Sequence, residues 1–572
     1  MRKRVCGGFG LFLLAAMLLP AACMAADDVV MKALRDELDR SMKQLQLEQL
    51  EKPYFISYRV QDRTSLDTSA TFGALLAGGV ARVRLLTVQV RVGDYQRDNS
   101  NFMTVPPRSN GLTEAVVLPL DNDYQELRRQ IWLATDTAYK DALEMLSRKR
   151  AALENRQERE KLADFSKEQP TNSLQPFAPI KMDLAQAEAE VKNLSALFRQ
   201  TPEIYTSSAS LSVSDTLTWY LNSEGSAVTQ EDTAATFAAT ARTQAVDGTN
   251  LPDWVMASAP TPQALPPEAE LAARIRTMAD RLAQLRRAAV VDRYTGPVLF
   301  QGQGGAEAFS TVFAPQLLAV RAPAWDNPQM EAYSAQNLSR LQERLGARVL
   351  PKFLSVIDDP TRKEYEGTLV VGASAIDDEG VRTRPVTIVD HGYLKTLLNT
   401  RDPVSGIPQS TGSFRTFGAQ PSNMMVSPTD GVSEQELKDQ LLSMMKERNK
   451  EFGLIVPGVG HETYKIYPDG HQELTRLGQF DGLDLGAFKD LAAASGHLTV
   501  YNVPYAAFGG RLYPGQQGAP LVSFIAPSLL FEELAVKPQA GELPSLPLSK
   551  HPYFDKSGDG MPSPFCCRGG QW

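Results

Sequence analysis

The chain has 572 residues, 43% of them hydrophobic and 22% charged, with a formal net charge of -8. That length admits two or more domains, and the apolar fraction excludes an intrinsically disordered protein. The acidic balance, with no basic run, argues against nucleic acid as a partner.

The N-terminus pairs Arg2, Lys3 and Arg4 with the apolar run GLFLLAAMLLPAA and the small residues CMAA. This order reads as a secretory signal and not as a membrane span. Cleavage is expected after Ala25, giving an exported protein of the periplasm or cell envelope. A lipid anchor on Cys23 is the weaker alternative, because Pro20 stands where an aliphatic residue is wanted. After cleavage only the adjacent Cys566 and Cys567 remain, so the fold rests on its core and not on a disulfide framework. That pair reads either as a vicinal or intermolecular disulfide or as unpaired surface thiols. No second apolar run approaches the length of a membrane span.

Residues 29–51 have helical periodicity, with Leu34, Leu38, Met42 and Leu45 on one face and Pro53 beyond the end. Alternation predicts strands at 54–60 and 82–92. A long helix is predicted over 122–163, its mixed charges reading as a solvated face. Pro170, Pro176 and Pro179 make 164–180 a loop, and a helix follows over 181–198. From 204 the period becomes two, predicting strands at 208–213 and 217–223, a turn at 223–225 and more alternation through 233–245. A proline-rich break at 260–270 leads into a helix over 268–289, and the domain boundary is placed near 290.

The second part is richer in strands and glycine. Strands are predicted at 369–376, 383–390 and 392–399, with turn chemistry at Asp377-Asp378-Glu379-Gly380 and Asp390-His391-Gly392. A helix over 433–450 precedes a hairpin at 461–477 that turns at Asp469-Gly470. Strands at 497–503 and 519–534 close the domain. The chain thus divides into a signal peptide (1–25), an N-terminal domain (26–290), a C-terminal β-rich domain (291–536) and a Pro/Gly-rich tail (537–572). The expected fold class is α+β.

At the start of the second part, Val298-Leu299-Phe300 gives way to Gly302, Gly304 and Gly305 and then to a predicted helix from Ala306. A dinucleotide fingerprint fails here, because Glu307 occupies the position that needs a small residue. A phosphate loop fails for want of a lysine after the glycines. A tight turn is the plain reading.

The segments SAIDDEGVRTRPVTIVDHGYLKTLLNTRDP and STGSFRTFGAQPSNMMVSP, with the NSEG turn at 222–225, resemble the TldD/PmbA family of metallopeptidase-related proteins. The resemblance implies a two-domain α+β protein: a sheet with helices, then a curved, barrel-like β domain. It implies dimers, in which an active metallopeptidase subunit can pair with a relative lacking the metal motif, acting on unfolded peptides. The active subunit carries H-E-x-x-x-H on the helix after the strand–glycine turn and a cysteine ligand near the end of the C-terminal domain. Here Phe309, Ser310 and Ala314 stand at the three helix positions, and the cysteine position falls near Arg511 or Leu512. No histidine precedes His391. Zinc needs nitrogen, sulfur or carboxylate donors and an open position for water, so neither metal nor cofactor is expected; zinc belongs to the active relatives.

Among other candidates, Glu307 could act as a general base, but no neighbour in sequence pairs with it, so a structural or solvated role is expected. His461-Glu462 opens like a zinc motif, but Lys465 stands at its second histidine position. His461 and His471 flank the hairpin and could approach across strands; the alternative is two exposed hairpin histidines. Ser410 and Thr411 lack a nucleophile elbow and read as turn residues. The expected function is a non-catalytic peptide-binding or partner subunit. Its partners would be an unfolded or extended peptide and either a second copy or a metal-bearing relative. An active metallopeptidase with a relocated metal site and a structural envelope protein are the alternatives.

Overall fold

The structure is a computed structural model. It describes residues 28–538 apart from 48, 155–161, 292, 337, 417, 459–461, 507–509 and 512–519, together with residue 548. The signal segment, Cys23, His461, Leu512, Cys566 and Cys567 lie outside the described residues.

Helix α1 (Val29–Gln44) begins at Asp28, whose carboxylate accepts the amides of Val30 and Met31 at 3.0 and 3.1 Å. It stops short of the expected residue 51, because Leu45 turns extended and Leu50 has no core to enter. Two very long strands follow, β1 (Pro53–Thr71) and β2 (Ala74–Val92), then helices α2 (Tyr124–Leu153) and α3 (Leu184–Ala196). Strands β3 (Thr206–Asn222), β4 (Ala227–Gln244) and β5 (Asn250–Ala259) and helix α4 (Glu268–Leu285) complete this part. The strands run in the order β2-β1-β3-β4-β5, antiparallel at every step. The two strands expected within 208–223 are one, because Ser214, Asp215 and Thr216 keep the ladder to both neighbours unbroken.

Side-chain alternation assigns the faces of this sheet. On β1, Ile56, Tyr58 and Val60 are buried with α1 and α2, while Leu66 and Ala70 share a core with α3 and α4. The opposite face carries Gln61, Arg63 and Asp67 of β1 and Ser210, Ser212 and Ser214 of β3. It is polar because it looks into a cleft and not into a core.

The second part is built on a 13-stranded sheet. Its main elements are β6 (Tyr294–Phe300), α5 (Gln303–Ala308), β7 (Leu354–Asp358), β8 (Val386–Asp390) and β9 (Asn423–Pro428). They continue with α6 (Glu434–Glu447), β10 (Gly453–Gly458), β11 (Glu462–Ile466), β12 (Gln472–Leu477), β13 (Leu491–Ala506) and β14 (Leu521–Lys537). The order is β8-β7-β9-β14-β6-β10-β11-β12, with β13 also on β14. Strand β14 pairs with β9 near its start and with β6 nearer its end, while β13 runs along most of its length. The architecture is α+β.

Two expected strands shrink. The segment expected as 369–376 is a strand only at Thr368–Leu369, and 392–399 only at Tyr393–Leu394. In the first, side chains and not a ladder take the backbone groups: Val371 N donates to Ser523 Oγ at 2.8 Å and Gly372 N to Asn423 Oδ1 at 2.9 Å. Gly372 must be glycine, because a Cβ there would stand 1.9 Å from Ser422 O.

Candidate functional site

The glycine turn after β6 serves packing. Gly302 has φ 54°, and α5 starts at Gln303, earlier than the expected Ala306. A Cβ on Gly304 would lie 2.1 Å from Val456 O, and one on Gly305 2.2 Å from Pro527 O. The glycines therefore let the helix press against β10 and β14.

Beyond Ala308 the helix widens into one π-turn over Phe309–Phe313, where Ala314 N donates to Phe309 O five residues back. Phe309, Ser310 and Ala314 are all buried. The rings of Phe309 and Phe313 lie 5.5 Å apart and both meet Phe488, at 6.2 and 5.4 Å. Ser310 Oγ donates to Glu307 O at 2.9 Å, and Ser310 O accepts the Tyr505 hydroxyl at 3.1 Å. Tyr505 pairs with Arg511 in a short ladder beside this π-turn. The π-turn that holds Phe309 and Ser310 is therefore a neighbour in space of the short strand that holds Arg511, and Phe309, Ser310 and Ala314 all lie within the packing of the second part.

Glu307 is not solvated: it is fully buried, and Gln303, four residues back, donates to its Oε1 at 2.8 Å. The expectation that nothing near it in sequence pairs with it is corrected, because one helical turn brings the amide over the carboxylate. His471 is exposed, bonded to Asp469 at 2.8 Å and stacked on Tyr467. Among the described residues, no group of three His, Cys, Asp or Glu side chains is placed to hold a metal ion.

The segments that carry the sequence resemblance meet at the junction of the two parts. Arg401 is buried and donates through both terminal nitrogens to Glu224, at 2.7 and 2.8 Å. Its guanidinium also lies over the Phe165 ring, 3.9 Å from the centroid, and donates to Ser166 O. Its backbone amide donates to Glu379 Oε2 at 2.8 Å. Asp377 accepts the amides of Glu379, Val381 and Phe414, which closes the D-D-E-G turn onto the S-T-G-S-F-R segment. Ser410 N donates to Glu168, and Thr411 bonds to Asn399, so both hydroxyl residues are structural pieces of this junction. Burial pushes the carboxyls of Asp377 and Glu379 upward, and for Glu379 the nearby Asp377 and Asp402 add to the shift. A second junction lies alongside, where Asp164 takes Lys149 from α2 and Arg321 from the second part. Arg401, Asp164 and Lys149 were not singled out from the sequence. The mixed charges of α2, read there as a solvated face, include this buried lysine.

Two clefts flank the junction. One, of about 630 Å³, lies over the polar face of β1, β3 and β4 and is roofed by Val370–Ser374, Asp378, Arg415 and Pro504. The other, of about 950 Å³, runs along Trp254–Ala259 of β5, with Gln303, Val500, Tyr501 and Asn502 across from it. Among the described residues, β5 pairs only with β4, so its outer edge has no strand partner. Met256 lines both clefts.

Residues 307–459 match the family described as the PmbA/TldA metallopeptidase C-terminal domain, a span that contains the D-D-E-G, S-T-G-S-F-R and P-S-N segments. A metalloprotease from Methanocaldococcus jannaschii is 34% identical over 110 residues, 18% of this chain and 23% of that protein. A metalloprotease from Methanothermobacter thermautotrophicus is 30% identical over 131 residues, 22% of this chain and 27% of that protein. The matches thus span about a quarter of the relatives' length. Among solved structures, TldE from Thermococcus kodakarensis is 13% identical with a TM-score of 0.55, covering 88% of this chain and 100% of that one. A candidate modulator of a DNA gyrase from Thermotoga maritima is 16% identical with a TM-score of 0.54, covering 84% of this chain and 96% of that one. At these identities the structural likeness speaks for the fold.

Proposed function

The chain belongs to the TldD/PmbA family, and from that premise we propose that it is an exported, non-catalytic peptide-binding or partner subunit of a peptidase-type assembly in the cell envelope. The observation that carries the peptide reading is the outer edge of β5, which has no strand partner among the described residues along the 950 Å³ cleft. An extended peptide laid there finds main-chain donors and acceptors in the geometry of a strand, which needs no metal ligand. The aromatic and aliphatic walls, Trp254, Tyr501 and Val500, suit a sequence-tolerant grip.

The non-catalytic part rests on Phe309, Ser310 and Ala314. Two of these side chains carry no donor atom, and the third is a neutral hydroxyl, which is not among the imidazole, thiolate and carboxylate donors that zinc takes. Export rests on the basic and apolar N-terminal segment. Pairing with a second copy or with a metal-bearing relative rests on the family premise.

Hydrogen exchange with an unstructured peptide tests the reading. Amides of β5 should become protected when the peptide is added, while those of β12 should not change. Protection elsewhere, or none, would contradict it.

A further inference from the structure

The smaller cleft holds an unmatched cation. Arg63 projects from β1 into it, and its guanidinium makes no hydrogen bond or ion pair among the described residues; its Nε is buried as well. Arg415 enters the same cleft from the second part. Its Nη1 donates to Phe414 O at 2.9 Å and its charge acts on the buried carboxyls of Asp358 and Asp377, but its buried Nη2 has no hydrogen-bond partner among the described residues. A buried guanidinium nitrogen left without an acceptor is costly.

The acids around the cleft already have donors. Asp378 faces Arg59 at 2.9 Å and accepts the Thr416 amide at 2.8 Å. Asp67 accepts Ser212 Oγ at 2.6 Å, and Glu231 accepts the Ala178 amide at 2.6 Å. Asp232 takes the Gln230 amide group on both oxygens, at 2.9 and 3.1 Å. The floor between the charges is hydroxyl-rich, with Ser210, Ser212, Ser214 and Thr216 in line on β3.

We infer that this cleft is a carboxylate-binding subsite for an extended peptide, with Arg63 of the first sheet and Arg415 of the second domain as its cationic walls. The planar fork of a guanidinium matches a carboxylate in geometry as well as charge. The subsite rests on the peptide-binding reading and deepens it. Met256 borders both clefts, so a chain laid along β5 can pass its acidic group from one to the other. The carboxylate is either the peptide's C-terminal group or an Asp or Glu side chain.

Fluorescence anisotropy of the full mature chain with three labelled hexapeptides tests this. The first peptide is neutral and capped at both ends, the second has a free C-terminal carboxylate, and the third is capped with one internal glutamate. At low salt at least one charged peptide should bind roughly tenfold more tightly than the capped one. A gain confined to the second peptide assigns the terminal carboxylate, and one confined to the third assigns the side chain. Arg63→Gln should remove the gain while leaving the capped peptide's affinity as in wild type, and Arg63→Lys should restore part of it. Equal affinity for charged and capped peptides would overturn the subsite and leave strand addition standing. So would a gain that survives Arg63→Gln, or an Arg63→Gln that weakens all three peptides alike. Failure of every peptide to bind would overturn both readings.

Discussion

Arg401 and Glu224 form a two-bond ion pair across the junction of the two halves of the chain, at 2.7 and 2.8 Å, with the guanidinium buried against Phe165. They are 177 residues apart in sequence. The pair ties the first sheet to the second part, beside the Asp164–Arg321 and Asp378–Arg59 pairs. Removing one partner leaves the other charge buried and unmatched, which costs about 3–5 kcal/mol. Arg401→Met should lower the melting temperature clearly and split the calorimetric transition into two, as the halves lose their coupling. A single unshifted transition would show that the pair does not hold the halves together.

The π-turn gives a second prediction. Phe309 is enclosed by Phe313 and Phe488, so Phe309→Ala should cost roughly 3–5 kcal/mol through lost contact and a cavity. Glu307→Gln keeps an oxygen that can accept from Gln303 and should cost less than Phe309→Ala. Chelator should leave the wild-type melting temperature unchanged. Thermal scans of wild type and both variants, with and without chelator, read all three.

Asp358 gives a pH prediction. It is buried on β7, where loss of solvation raises its carboxyl to about 7, even though the Ser422 amide and Arg415 pull it down. A folded pKa above the unfolded one stabilises the fold at low pH, and the benefit is lost as pH rises from about 4 through about 7. Asp358→Asn keeps an oxygen for the Ser422 amide and cannot charge. Wild type should therefore lose stability relative to the variant across that window, by an amount on the order of 2–4 kcal/mol. Chemical denaturation of both proteins at pH 5 and pH 8 measures the difference; parallel pH dependence would contradict the assignment.

Export predicts a mature N-terminus at Ala26 or Asp27. N-terminal sequencing of protein recovered from the native envelope checks this. Met1 retained on a cytoplasmic protein would refute it.

Much of the fold was legible in the sequence where one face of an element is buried. The stripe of α1, the alternation along β2 and the Asp469-Gly470 hairpin all follow from periodicity and turn chemistry. Strand β5 was missed because Asn250-Leu251-Pro252-Asp253 breaks any clear alternation; its position is fixed by the ladder with β4. The strand expected at 369–376 failed because Ser523 and Asn423, far along the chain, take the backbone groups that a ladder would use. Burial of Arg401 against Glu224 could not be read from the sequence, because an ion pair between distant loops leaves no periodic signal. Arg63 was invisible for a related reason: in sequence it is one more charge in an alternating strand, and its lack of a partner among the described residues appears only when the cleft is assembled.

The central claim is that the chain holds peptide without cutting it. Equilibrium dialysis of the mature protein against a capped, unstructured hexapeptide, with and without chelator and read by mass spectrometry, tests it most directly. Intact peptide should be retained on the protein side, equally in both conditions. Fragments that disappear when chelator is present would reveal a working metal site and contradict it, and so would peptide that distributes evenly across the membrane.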